Sequence, residues 1–339
     1  MVKGIILEGA IFLKRIALIS TGGTIAMEAD KSGLAVPTAG AKDLLDSLNN
    51  IKKEFIIDAI DFINIPSAHM TIKDLIGLRN LVMDISRKGY DGIVITHGTD
   101  TMEETAYFLD LTTDLNIPIV LTGSQRNLSA ISSDVAINIM DSIRVAADEM
   151  AAEMGVLIVF ASEIVPAREA TKTHRTGLDT FKSLEFGHIG TIDNNRVLWF
   201  RKPIIKETYG LGNIDNIVVD IIPSYLGSDS RNIRNSIRDG VDGIVLQSLG
   251  AGHIPKAMLD GISEAISLSI PVVLTSRTIK GRFFTNTYGF EGSERHLRSL
   301  GVIFGEDLPS QKVRIKLMVL LSLGYDYDRI KYEFEKNYY

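Results

Sequence analysis

The sequence predicts an α/β protein of two domains: a larger N-terminal domain, whose mostly parallel sheet is flanked by helices, and a smaller C-terminal α/β domain. Three observations predict it. Short, continuous apolar runs alternate with longer stretches of helical periodicity, which is the punctuation of βαβ units. The pattern is interrupted by a polar stretch containing Pro203, Gly210 and Gly212, and then resumes. The length of 339 residues suits two domains of ordinary size.

The strands come first. Residues 15–20 (RIALIS), 91–96 (DGIVIT), 117–122 (IPIVLT) and 156–161 (VLIVFA) are too continuous in apolar character for half-exposed strands and suit burial on both faces of a sheet. Between them, residues 72–87, 102–112 and 134–150 carry apolar side chains at helical spacing. Right-handed crossovers then give a mostly parallel sheet with helices on both sides. Residues 217–222, 243–247 and 271–275 read as further strands, and 256–268 and 310–323 as helices. The predicted division is therefore an N-terminal catalytic domain over 1–200, a linker over 201–216 and a C-terminal domain over 217–339. No short-period repeat is visible.

Composition narrows the function. A formal charge of −6 and a pI near 5.6 argue against nucleic-acid binding, which needs a basic face to neutralise phosphates. The absence of cysteine excludes disulfides, thiol nucleophiles and thiolate metal sites. No apolar run approaches the ~18 residues of a membrane helix. The N-terminal stretch MVKGIILEGAIFLKR is interrupted by Glu8 and has no small-residue cleavage site. It reads as an extension of a cytoplasmic protein rather than a secretion signal. The six histidines are scattered, without HExxH or a close pair, so no metal site is expected. Neither a Walker A loop nor GxGxxG spacing occurs, and no cofactor is expected.

Three segments carry chemistry, and each follows or adjoins a strand end, where open parallel sheets place their ligands. Thr21-Gly22-Gly23-Thr24 leaves the first buried strand. Its glycines permit a sharp turn and close approach to a ligand, so Thr24 is either a nucleophile presented beside backbone N–H groups or part of a simple exit turn. His97-Gly98-Thr99-Asp100-Thr101 leaves the second. Here Asp100 or Thr101 suits a helix N-cap, with Glu103 and Glu104 in the first turn meeting the helix dipole. A hydroxyl beside a carboxylate also suits proton traffic, and His97 reads as a packed turn residue. The third segment, residues 168–174 (REATKTH), reads as a loop. Its Lys172 becomes chemically informative only as the partner of a hydroxyl, since a desolvated lysine can take a proton from threonine.

Together TGGTIA and HGTDTMEET, continued by VLTGSQR, SDVAINIMDS, REATKTHRTGLDTFKS and, more weakly, VVLTSRTIKG, resemble the L-asparaginase family of bacterial and archaeal amidohydrolases. The likeness runs from Lys14 over nearly the whole chain. It implies hydrolysis of asparagine to aspartate and ammonia through an acyl-enzyme on Thr24. It also implies a second constellation of Thr99, Asp100 and Lys172, and a substrate-carboxylate contact at Ser67. Asp100 would anchor the substrate's α-ammonium group, and the working enzyme would be a homodimer or homotetramer.

Departures from the family pattern bear on substrate preference. Leu34 stands where many members carry a tyrosine that orients the nucleophile, so another group, such as Tyr288 or Tyr225, takes that part or activity is low. Ala68 replaces a side-chain amide of some relatives, and SLGAGHIP lacks an asparagine that some contribute across a subunit interface. The stretch RFFTNTYGFEGSE places Tyr288 among three phenylalanines in a glycine-containing loop suited to an interface, or to folding back on its own domain. A glutaminase, or the glutamine-hydrolysing subunit of a tRNA-dependent amidotransferase, is the competing assignment. That amidotransferase component carries an extra N-terminal domain where this chain has a short extension.

Overall fold

The computed structural model describes residues 6–7, 10–11, 13–29, 34–37, 39–46, 48 and 51–337. They form two compact units, divided between Thr208 and Tyr209, and the 201–216 stretch spans that division. In the first unit the strands are β1 (Ile6–Leu7), β2 (Ala10–Ile11), β3 (Arg15–Ser20), β4 (Met27–Ala29), β5 (Ala35–Pro37), β6 (Ile56–Asp61), β7 (Gly92–Thr96), β8 (Ile119–Thr122), β9 (Val156–Phe160), β10 (Glu163–Pro166), β11 (Ala170–Lys172), β12 (Phe181–Ser183), β13 (Gly190–Asp193) and β14 (Arg196–Trp199). Its helices are α1 (Ala41–Asp46), α2 (Ile72–Ser86), α3 (Met102–Thr112) and α4 (Val135–Ala146).

An eight-stranded sheet runs in the order β14-β13-β10-β9-β8-β7-β3-β6. From β9 to β6 its pairs are parallel, and β10, β13 and β14 extend it antiparallel. The four continuous apolar runs are its central strands. Ile16, Leu18, Val94, Val120, Leu157 and Val159 join one core with Leu44 of α1 and Val135, Ile139 and Ile143 of α4. The alternating residues Ala17, Ile19, Ile93, Ile95, Leu121 and Ile158 are equally inaccessible on the other face. Burial of both faces explains why these strands show no polar alternation.

The strand order places the chemistry. From β3 the chain crosses to β6 on one side, then returns to β7 on the other. The order therefore reverses at β3, and the carboxyl ends of β3 and β7 flank the crevice such a reversal opens. The glycine turn and the HGTD segment leave the sheet at those two ends.

Their backbones are pressed together there. Gly23 has φ 82°, and a Cβ on it would run into the Gly98 backbone. A Cβ on Gly98 would stand 2.6 Å from the Ser67 hydroxyl, and one on Gly22 would stand 2.5 Å from the Ile65 nitrogen. Hydrogen bonds run alongside: Thr21 N–H donates to the Thr96 carbonyl at 3.0 Å, and Gly23 N–H to that of Ile65 at 3.1 Å. His97, fully buried, ties the second loop down. Its N–H donates to the Thr122 carbonyl at 2.8 Å; Nδ1 lies 2.8 Å from the Gly98 carbonyl and Nε2 2.9 Å from the Thr105 hydroxyl. That pattern fits a neutral ring donating through Nδ1 and accepting through Nε2. Burial holds its pKa down at about 4.

Three local expectations change. Residues 168–174 are not all loop: Ala170–Lys172 forms β11, paired antiparallel with β12 outside the large sheet. Three residues without an apolar run give no strand signal, and the partner strand supplies the pairing. Thr101 does occupy the N-cap of α3, but its side chain does not cap; the hydroxyl donates to the Ser67 carbonyl at 2.9 Å instead. The helical stretch beginning near 134 also stops earlier, at Ala146, and residues 149–154 form a separate 3-10 turn.

The second unit contains β15 (Val219–Pro223), β16 (Gly243–Ser248), β17 (Val272–Ser276) and β18 (Ile303–Phe304), paired parallel in sequence order. Its helices are α5 (Arg231–Asp239), α6 (Leu259–Ser267), α7 (Glu294–Leu300), α8 (Ser310–Ser322) and α9 (Tyr327–Glu335). Ile222, Ile244, Leu246 and Leu274 share a core with Ile233, Ile262 and Leu297, so α5, α6 and α7 cover one face of this sheet. No helix among the described residues is long and apolar enough to cross a membrane.

Two stability outcomes follow from this packing. Gly23→Ala must both leave the φ > 0 region and push two backbones apart, a cost of roughly 3 kcal/mol or more. Gly89→Ala, with φ 72° and open space around it, incurs the conformational part alone, about 1–2 kcal/mol. Thermal midpoints should therefore fall further for Gly23→Ala, and equal losses would contradict the close approach. For His97, the folded pKa lies below the ordinary 6.5. Between those pH values the unfolded chain holds the extra proton, so stability drops as pH falls from about 6.5 to about 4, by roughly 3 kcal/mol from this group. Denaturation of wild type and His97→Gln across that window should show the wild type alone losing this increment. Parallel pH profiles would refute the buried neutral ring.

Candidate active site

Thr24 opens a single 3-10 turn, Thr24–Ala26, directly after the paired glycines. Ile25 and Ala26 are fully buried and anchor the turn, while Thr24 stays part-exposed. The sequence thus uses two apolar residues to fix a loop whose hydroxyl-bearing residue stays accessible. Thr24 is joined to the residues around Thr99 through the backbone contact of Gly23 with Gly98, not through the hydrogen bonds that hold Thr99, Asp100, Lys172 and Ser67 to one another.

The other three family positions do meet. Lys172 Nζ donates to Thr99 Oγ1 at 2.9 Å and to Asp100 Oδ1 at 2.7 Å. Thr99 is 6% exposed, the Lys172 side chain 16% and that of Asp100 67%. Solvent access therefore rises from hydroxyl to ammonium to carboxylate. With the ammonium occupying an Oγ1 lone pair, the Thr99 O–H is left to donate outward, and the second Asp100 oxygen is available to a cationic group.

Ser67 lies in a 3-10 turn, Ser67–His69, at 5% exposure. Its Oγ accepts the Asp100 backbone N–H at 3.2 Å, and its carbonyl accepts the Thr101 hydroxyl. Ser67 thus belongs to the same cluster through its contacts with the 98–101 turn. Ala68 beside it is exposed.

Glu103 is the residue that sequence reasoning missed. The sequence places it in the first turn of α3 as a partner for the helix dipole, and it is there. Yet it is 5% exposed, takes the Thr171 hydroxyl on Oε2 at 2.5 Å and the Lys172 backbone N–H on Oε1 at 3.4 Å. The signal available in sequence was thin: a second acidic residue, Glu104, shares that turn, and nothing in the pattern distinguishes the buried one.

Tyr288 and Tyr225 belong to the second unit. Tyr288 packs edge-on to His253 with centroids 5.0 Å apart and is 41% exposed; Phe284 and Phe290 beside it are 45% and 49% exposed. Of the four aromatic residues in that stretch, Phe283 turns inward, against Phe304. The buried Glu294 carboxylate holds the loop by accepting the N–H groups of Thr287 and Tyr288 at 2.6 and 2.8 Å. Tyr225 is 48% exposed. Leu34 is 67% exposed. Among the described residues no His, Asp and Glu cluster could hold a metal ion.

Known proteins carry the same arrangement of sequence. Residues 15–205 match the family model described as Asparaginase, N-terminal, and residues 218–334 the Glutaminase/Asparaginase C-terminal domain. An L-asparaginase of Bacillus licheniformis is 37% identical over 91% of this chain and 96% of its own. An L-asparaginase 2 of Escherichia coli is 31% identical over 96% of this chain and 94% of its own. A crystal structure of a probable cytoplasmic L-asparaginase from Campylobacter jejuni superposes with a TM-score of 0.85 at 32% identity, covering 95% of this chain and 99% of the other. With both family models matched in order and these identities sustained over nearly its full length, the chain belongs to the asparaginase family.

Proposed function

We propose that the protein is an L-asparaginase, hydrolysing the side-chain amide of L-asparagine to aspartate and ammonia. The observation that carries this reading is the Lys172 ammonium bound to both Thr99 and Asp100 at the carboxyl end of β7, one backbone contact away from Thr24. Thr24 Oγ1 attacks the amide carbon, the carbon–nitrogen bond breaks, and the hydroxyl proton leaves with the nitrogen as ammonia. Water then attacks the resulting ester, releasing aspartate and restoring the Thr24 hydroxyl.

Each remaining group has a task suited to its surroundings. Thr99, fixed from behind by Lys172, points its O–H toward the reacting amide, and its remaining oxygen lone pair later accepts from the attacking water. Asp100, the most exposed of the cluster, receives the α-ammonium group. Ser67, whose oxygen already accepts from Asp100 N–H, has its own O–H for the α-carboxylate. Backbone N–H groups of the glycine turn supply the oxyanion with donors. No cofactor or metal enters this scheme. We place the protein in the cytoplasm, in keeping with the description of the Campylobacter jejuni relative.

Glutamine, the substrate of the competing glutaminase and amidotransferase readings, is longer than asparagine by one methylene. A pocket rejects one methylene by only ~1–3 kcal/mol, so kcat/KM should favour asparagine by roughly 10- to 200-fold. Ammonia release from both amides tests this, and Thr24→Ala should lower turnover at least ~10³-fold with its fold retained. Equal efficiency on glutamine would overturn the substrate, and a folded, active Thr24→Ala would overturn the nucleophile.

We further propose that the chain works as a homodimer or homotetramer, with the exposed Phe284, Tyr288 and Phe290 at the interface and Tyr288 supplying a neighbour's site in place of the tyrosine missing at Leu34. Light scattering at assay concentration should return a multiple of 37.3 kDa. Mixing inactive Thr24→Ala and Tyr288→Ala subunits should restore part of the activity. A fully active monomer would exclude self-association as a requirement.

A further inference from the structure

Lys172 is held on a strand that the large sheet does not contain. Among the described residues β11 pairs only with β12, and Lys172 lies opposite Phe181 at the end of that pairing. The hairpin is secured at its root: Glu169, next to β11, accepts from Ser183 of β12 at 2.8 Å and pairs with Arg201. At the other end the β12 side is anchored by Phe181, buried against Phe160 of β9 with centroids 5.2 Å apart. The β11 side of that end, where Lys172 projects, needs its own tether if the ammonium is to stay 2.9 Å from Thr99.

Glu103 of α3 takes two hydrogen bonds from β11: the Thr171 hydroxyl at 2.5 Å and the Lys172 N–H at 3.4 Å. Glu103 stands four residues after Thr99 and three after Asp100, on the rigid turn that begins α3. One carboxylate therefore ties the backbone carrying the lysine to the segment carrying both of the lysine's partners. A first-turn glutamate needs no burial to interact with the helix dipole, whereas this one is 5% exposed and commits both oxygens to β11. The helix terminus in turn stabilises the buried charge.

We propose that Glu103 is a positioning residue, acting through Thr171 to set the Lys172 ammonium against Thr99. The inference rests on the reading that Lys172 and Thr99 serve the reaction. Losing the tether lets β11 drift, and a displacement of about 1 Å takes the lysine beyond hydrogen-bond range of Thr99. Misplacement on that scale costs roughly 10- to 100-fold in rate.

The test is steady-state asparagine hydrolysis by Thr171→Val, Thr171→Ser and Glu103→Ala, each made also with Lys172→Met, with circular dichroism to verify folding. Thr171→Val and Glu103→Ala should lower kcat roughly 10- to 100-fold while KM stays within about 3-fold. Thr171→Ser, which retains the hydroxyl, should recover most of the rate. In the Lys172→Met background the same changes should cost less than about 3-fold, because the group they position is gone. Glu103→Ala, which removes a buried charge partner, is the variant at risk of misfolding; the isosteric Thr171→Val then decides. Wild-type kcat in folded Thr171→Val, or an undiminished loss in the Lys172→Met background, would overturn the inference and leave the reading of Lys172 standing. Undiminished kcat in Lys172→Met alone would instead remove that reading, and the inference with it.

Discussion

Everything around the crevice depends on how closely two backbones approach. Gly23 and Gly98 touch where no side chain fits, and Gly98 in turn rests on Ser67. Three loops, leaving β3, β6 and β7, are thereby stacked without intervening atoms. Backbone contact is stiffer than side-chain contact because it has no rotamers to yield. This stiffness transmits the registry of the sheet to the hydroxyls of Thr24 and Thr99: Ser20 pairs with Thr96 in the ladder, and the two threonines follow at nearly equal distances from that rung. The sheet thus measures out the site, and the glycines keep the measurement from being lost in the loops.

Hydrogen bonding completes what close packing begins. His97 serves two partners through its neutral ring and a third through its backbone N–H, in an interior where an imidazolium would carry a large desolvation penalty. Thr101 gives up its capping bond to hold the Ser67 carbonyl. Glu103 holds β11. In each case a residue suited to a local role in loop or helix is diverted to join one loop to another. The energy forgone locally is small, about 1 kcal/mol for an N-cap, and what results is a fixed geometry among segments far apart in sequence.

The division between what sequence reveals and what it hides follows the same line. Residues 15–20 and 102–112 are legible with their boundaries correct, because burial on both faces of a strand and an apolar helical stripe leave strong periodic marks. β6 is not: its IIDAID lies at a sheet edge, with Ile56 48% exposed, and aspartates at every third position break its apolar run. β11 is three residues long and polar, and α1 and α5 are short. Site residues show the same contrast. Thr24, Thr99, Asp100 and Lys172 stand out through motifs at strand ends, and the meeting of Lys172 with Thr99 across 73 positions is an expectation that no local pattern could establish. Glu103 is visible as a helix-start residue and invisible as a clamp. Its role depends on Thr171, a contact 68 positions away.

Exposure within the cluster adds a chemical argument to the geometric one. Thr99 is nearly buried and Asp100 mostly open, with Lys172 between them. An electrostatic contact weakens where water reaches it, so the lysine's pairing with the open Asp100 is exchangeable. On the proposed function, a substrate's ammonium group would compete for Asp100 while Lys172 stays on Thr99. Binding then need not disturb the group set for chemistry. Such a separation requires the lysine to be held from its backbone as well as by its charge, which is why a tether on β11 belongs to the same design as the exposed carboxylate in front of it.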